Sequence, residues 1–393
     1  MPDPSRDDTG PRPAALVLSG GGARGAYEVG VARYVLVDLL RETGVRARFD
    51  YFAGTSVGAL NACALAGLAD RPEAAVRALE AYWRNLTLDR VISFGLREMR
   101  TFGEGLFGAR IPWPGRPRKA APEGTPHTPI QGLFDTEVLR NDIGSRILWD
   151  RIPALLRDGH LKGLTVCATE LCRGTSVFFY AMPEGESLDP GPDPAKSARS
   201  VRFSVDHAMA SAAIPVLFPS VQIDGYCYTD GGMRNNTPIY PAIRMGAHRL
   251  LVVSLFPSPT EYQRKARFGC RLNPRPGIPF LLGRVVTALM QGAMDHDLYR
   301  MRKEHPQVET FLVRPSEDLN DLAQQAMRDA PEEMKLPGLA GQAFHRVVRS
   351  QALMDSDLAS YIMFTPTYLN RLVDLGWKDA AARRDELVAF FGE

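Results

Sequence analysis

The chain of 393 residues is short of cysteine, of net charge and of long apolar runs, and each shortage removes a class of answer. Its five cysteines (Cys63, Cys167, Cys172, Cys227 and Cys270) are odd in number and irregularly spaced. Cys167 and Cys172 stand too far apart for a C-x-x-C site and no histidine cluster joins them, so the thiols read as buried and reduced. A net charge of +2 excludes a general polyanion-binding character, and no nucleic acid is expected as a partner. No uninterrupted apolar run reaches the roughly 18–20 residues of a membrane span. The opening stretch MPDPSRDDTGPRP lacks the apolar segment of a signal peptide, and residues 1–13 read as a disordered tail. The expectation is a cytoplasmic protein that touches membranes, if at all, peripherally at their surface.

Glycine is what the chain has in quantity, and it falls at turns that follow apolar runs. Ala14 to Ser19 is such a run, hence a buried strand, and it leads into Gly20-Gly21-Gly22-Ala23-Arg24-Gly25. Ala26, Val29, Ala32, Val35, Leu36, Leu39 and Leu40 then recur at helical spacing, with Gly44 just past the expected end. A second apolar run ends at Ala53 and meets Gly54-Thr55-Ser56-Val57-Gly58, after which alanine and leucine favour helix. Repeated strand–turn–helix units argue for an α/β fold, a mostly parallel sheet with helices on both faces. Ligands bind such sheets beyond the C-terminal strand ends, where both glycine turns would lie.

Strand, tight turn with serine at the apex, then helix is the context of a nucleophile elbow. Gly54 and Gly58 would leave room where larger side chains collide with strand and helix, and the helix N-terminus points its positive end at the serine oxygen. The competing reading of Ser56 is an ordinary helix N-cap. The loop Gly20–Gly25 also matches the dinucleotide fingerprint G-x-G-x-x-G. That reading wants an acidic residue at the end of the second strand, where this chain has the serine elbow. An oxyanion hole fits better, with Gly21 and Gly22 N–H groups as the expected donors. Arg24 either orients this loop, binds a lipid phosphate or only braces the backbone.

Farther along, Pro72 to Asn85 and Thr136 to Leu148 read as helices. Residues 90–131 mix proline and glycine with aromatics and arginines. This stretch is either a lid whose aromatics dip into lipid or a surface excursion that packs its own rings. Leu161 to Leu171 and Thr175 to Ala181 read as an antiparallel hairpin, Glu184 to Arg199 as a polar loop, and Val205 to Ala213 as a small-residue helix. Val221 to Thr229 reads as a hairpin turning on Asp224-Gly225, which delivers Asp230-Gly231-Gly232. Pro238 opens a helix, and Leu250 to Phe256 is a strand. A boundary is expected at Pro257, dividing residues 14–256 from a mainly helical region, 257–393, whose strand at Val308 to Val313 could still join the main sheet.

A serine nucleophile needs a base. None of the seven histidines stands in a compelling context. Asp230 follows a strand and precedes Gly231 and Gly232, which would leave its carboxylate accessible. A partly desolvated carboxylate can act as a base, although an ordinary Asp-Gly turn explains the same residues.

Three segments in this order resemble the patatin-like phospholipase family: SGGGARGAYEVGV at Ser19 to Val31, GTSVGALNA at Gly54 to Ala62, and YTDGGMRNNTP at Tyr228 to Pro238. The intervening SAAIPVLFPSVQIDG at Ser211 to Gly225 also looks like that family's approach to its aspartate. The resemblance implies a three-layer α/β/α sandwich and a Ser–Asp dyad without histidine. It makes Ser56 the nucleophile, Asp230 the base and the loop Gly20, Gly21, Gly22, Ala23, Arg24 and Gly25 the oxyanion hole. It also implies a phospholipid or other glycerolipid substrate and no cofactor; neither a calcium loop nor zinc-ligand spacing is present. Three functional classes follow: a lipid acyl hydrolase (or a less selective carboxylesterase or thioesterase), an oxidoreductase binding a nucleotide at the Gly20 loop, and a lipid-binding scaffold without turnover.

Overall fold

The computed structural model describes residues 12–93, 134–257, 278–338 and 357–392, together with Gly132, Gly341 and His345. Residues 1–11 of the expected tail, nearly all of the 90–131 segment and Cys270 lie outside these residues.

The first strand, β1 (Ala14–Leu18), is buried along its whole length, as is β2 (Tyr51–Thr55), which runs two residues past the expected stop at Ala53. Both pair in parallel, and strands covered on both faces need unbroken apolar character, which is why each reads as a run and not an alternation. Next come β3 (Gly163–Glu170), β4 (Thr175–Ala181), β5 (Lys196–Ser200), β6 (Val221–Ile223), β7 (Tyr226–Asp230), β8 (Arg249–Val253) and β9 (Glu309–Val313). The sheet order is β5-β4-β3-β2-β1-β8-β9, with the β6–β7 hairpin attached to β3. The turn between β6 and β7 has positive φ at both Asp224 (51°) and Gly225 (79°), the left-handed pair that a tight hairpin demands. The stretch read as a polar loop ends instead in β5, an edge strand parallel to β4. Its sequence, KSARS, gives no apolar signal because it lies half-exposed at the sheet margin.

Helix α1 (Ala26–Arg33) continues through a π turn (Tyr34–Asp38) and a last helical turn (Leu39–Thr43), closed by Gly44 at φ 76°. Helix α2 (Val57–Ala66) follows the serine and is buried on nearly every side. Helix α3 (Pro72–Arg84) buries Ala75, Val76, Leu79 and Trp83 along one stripe. The remaining main helices are α4 (Glu137–Arg146), α5 (Val205–Ser211), α6 (Ile239–Arg244), α7 (Ile278–Glu304), α8 (Leu319–Asp329), α9 (Leu358–Ile362), α10 (Pro366–Ala381) and α11 (Arg384–Phe391). The chain breaks between the last two at Ala382-Arg383.

Helix α2 packs over β1, β2 and β3, while α6 packs over β1, β2 and β8 and carries α7. The crossovers from β1 to β2 and from β8 to β9 move in opposite directions along the sheet. Right-handed connections therefore put their helices on opposite faces, completing three layers. The C-terminal part is built into this body: β9 pairs with β8, and α10 packs on α1.

Candidate active site

The long strand β3 assembles the site. Its residues Gly163 to Cys167 pair in parallel with β2, and Ala168 to Glu170 pair antiparallel with β7. β2 and β7 therefore meet nearly end to end beside β3. Thr55 sits opposite Cys167 and Asp230 opposite Ala168, so the residue after β2 and the last residue of β7 converge. Ser56 Oγ donates to Asp230 Oδ2 at 2.5 Å, joining residues 174 positions apart.

Ser56 holds φ 55° and ψ −127°, a left-sided backbone that non-glycine residues rarely adopt. Surrounding bonds maintain it. The Ser56 N–H donates to Ser211 Oγ at 2.8 Å, whose own hydroxyl donates to the Cys167 carbonyl at 2.5 Å. The Ser56 carbonyl accepts the Ala59 N–H at 2.9 Å, starting α2. A methyl on Gly54 would overlap the backbone of Gly58, and one on Gly58 the backbone of Leu18, so the two flanking glycines are required by close backbone approach. Ser211 was not singled out from sequence; it stood within a small-residue helix with no turn signal of its own.

Asp230 is fully buried and every polar atom is engaged. Oδ1 accepts the Gly232 N–H at 2.7 Å, the backbone N–H donates to the Ala213 carbonyl at 2.9 Å, and its carbonyl accepts Thr169 Oγ1 at 3.0 Å. Burial pushes the carboxyl up to about 6, against the opposing pull of the Ser56 and Gly232 hydrogen bonds. Among the histidines, His207 caps its own helix at Ser204 and packs between Phe179 and Phe203, where burial lowers its pKa.

The glycine loop lies alongside: a methyl on Gly20 would touch the Ser56 Cβ at 3.0 Å. The Gly20 N–H donates to the Asn236 carbonyl at 3.0 Å and the Arg24 N–H to the Gly21 carbonyl at 3.2 Å, so neither is free for an anion. Gly22, at φ 58°, opens a short 3-10 turn ending at Gly25. Arg24 turns into the protein interior. It is 4% exposed, donates to Ser360 Oγ at 2.7 and 3.0 Å, and lies over the Tyr361 ring at 4.1 Å. Of the three roles open for it in the sequence, the buried pairing with α9 supports bracing. Cys63 and Cys167 are buried thiols as expected, whereas Cys172 is exposed and Cys227 half-buried.

Ser56 and Gly22 open onto an apolar cavity of about 230 Å³, walled by residues that include Leu60, Leu79, Trp83, Ile143, Ile214 and Phe218. Among the described residues, no three His, Cys, Asp or Glu side chains gather as a metal site would require.

Residues 16–243 match the sequence profile of the patatin-like phospholipase family. No curated protein matches the chain. Among solved structures, that of VipD from Legionella pneumophila aligns with 13% identity and a TM-score of 0.38, covering 95% of this chain and 67% of that one.

Proposed function

Because this chain belongs to the patatin-like phospholipase family, a lipid acyl hydrolase, we propose that it cleaves glycerolipid carboxylic esters through a Ser56 acyl-enzyme with Asp230 as base. The observation that carries this reading is the 2.5 Å bond from Ser56 Oγ to Asp230 Oδ2 beside an apolar cavity. In the proposed cycle Asp230 takes the Ser56 proton as Oγ attacks the acyl carbonyl. The resulting oxyanion lies against the glycine loop, with Gly21 and Gly22 N–H groups as donors and the N-terminus of α2 adding its positive end. The alcohol leaves with a proton from Asp230. Water, deprotonated by the same carboxylate, then releases the fatty acid and frees Ser56. The apolar cavity accommodates the acyl chain, which favours lipid esters over small ones. Phospholipase A and lysophospholipase activities are the proposed subtypes; a broader carboxylesterase or thioesterase activity is the alternative.

Fatty-acid release from mixed phospholipid vesicles without added calcium is the test. Ser56→Ala and Asp230→Asn are each expected to lose turnover by about a thousandfold or more while keeping the wild-type circular dichroism. Appreciable residual release by Ser56→Ala would remove Ser56 as nucleophile. A wild type that neither hydrolyses lipid nor reacts with a fluorophosphonate at Ser56 would favour a binding role without turnover.

A further inference from the structure

Beneath the glycine loop lies a buried polar cluster that the proposed cycle does not use. Asn61, on α2 and 1% exposed, spends its whole amide there. Its Nδ2 donates to the Gly25 carbonyl at 3.1 Å and to Glu28 Oε2 at 2.8 Å, while its Oδ1 accepts Trp83 Nε1–H at 2.9 Å. Glu28, on α1, is also 1% exposed, and its Oε1 has no hydrogen-bond partner. The Ser19 backbone N–H faces the same carboxyl. Ser19 precedes the loop and Gly25 ends it. The end of the loop is thus tied at Gly25, and the first turn of α1 at Glu28, to one amide on the helix that starts at the nucleophile.

The third member faces the cavity. Trp83 is part of the wall beside Ser56, and its ring stacks on Phe364, another wall residue, at 6.4 Å between centroids and 26° between planes. An acyl chain in the cavity lies against the same indole whose N–H orients Asn61. Apolar side chains could fill this volume without burying a carboxyl oxygen that lacks a partner, so packing alone does not account for the choice of residues. We infer that Trp83, Asn61 and Glu28 are positioning residues that link occupancy of the acyl cavity to the placement of the glycine loop opposite Ser56. Binding energy from the chain, remote from the reacting carbonyl, is then spent on aligning the oxyanion donors and is seen in kcat. Burial pushes the Glu28 carboxyl well above the usual carboxylate range, and glutamine keeps its shape and its acceptor oxygen without the charge.

Only the effect on kcat rests on the proposed reaction at Ser56, so the experiment has one arm that needs turnover and one that does not. In the first, kcat and KM are measured for the acetyl and octanoyl esters of p-nitrophenol. The wild-type kcat should rise with chain length. Trp83→Phe, which keeps a ring and removes the donor, should lower the octanoyl-to-acetyl ratio of kcat by about tenfold, with the octanoyl KM within about twofold. Glu28→Leu should reproduce the loss and Glu28→Gln should restore most of it. Equal loss on both esters, or a change confined to KM, would overturn the coupling. In the second arm, amide hydrogen exchange is followed over Gly21 to Gly25 with and without octanoate. Slowing in the wild type that disappears in Trp83→Phe supports the link, and equal slowing in both refutes it. Absence of Ser56-dependent hydrolysis would count against the proposed reaction only, since the exchange arm still decides this inference.

Discussion

At the scale of residues, the candidate site pairs a strained serine with a desolvated carboxylate. Ser56 keeps its unusual backbone because Ser211, Gly54 and Gly58 leave it no other placement, and this presents the hydroxyl at the apex of the turn. Asp230 owes its raised pKa, about 6, first to burial. As the proposed base, Asp230 must be unprotonated, so activity is expected on the alkaline side of that value and falls as pH drops through it. We expect kcat/KM on a soluble ester to be level above roughly pH 7 and to decline about tenfold per unit below 6. A break near 4, where an unperturbed carboxylate titrates, would show that Asp230 is solvated in the working enzyme.

At the scale of elements, two close approaches fix the architecture around that pair. β3 outruns β2 and accepts β7 in the vacated register, which brings a strand end from each side to one point. Helices α1 and α10 cross with glycine on both: a methyl on Gly30 would overlap the Val373 carbonyl and one on Gly376 the Tyr27 carbonyl. The crossing is reinforced by Tyr27 Oη donating to Asp379 at 2.9 Å. Since α1 carries the glycine loop on its N-terminal end, its position matters to the site. Gly376→Ala should force the helices apart and cost about 1–3 kcal/mol of stability, read as a lowered urea midpoint at unchanged slope. An unshifted midpoint would mean that the crossing relaxes freely.

At the scale of the whole molecule, the C-terminal residues complete the body that holds the site. β9 covers the outer edge of β8, α10 covers α1, and Arg24 of the loop reaches Ser360 across 336 residues of sequence. A chain ending at Pro257, the boundary expected from composition, would expose β8 as an apolar edge and uncover α1. It is expected to aggregate or to lose near-ultraviolet circular dichroism. Cooperative unfolding of a soluble 1–257 fragment would instead show that the first part folds alone.

Pieces whose signals are local were legible in the residues themselves. Glycine turns after apolar runs located the loop and the elbow, Asp224-Gly225 set the hairpin, and Gly44 ended its helix, because a positive φ or a close backbone contact restricts the residue at that very position. Asp230 became more than a turn residue through the family resemblance and not through its own context. Tertiary structure alone decided the rest. It paired Ser56 with Asp230, gave the elbow its Ser211 support, occupied the Gly20 N–H with Asn236, and gathered Trp83, Asn61 and Glu28 beneath the loop. It also recruited KSARS as an edge strand, where pairing to β4 substitutes for apolar burial. These outcomes depend on contacts between distant segments, and a hydrogen-bond partner chosen by packing leaves no periodicity or turn signal in the residues that make it.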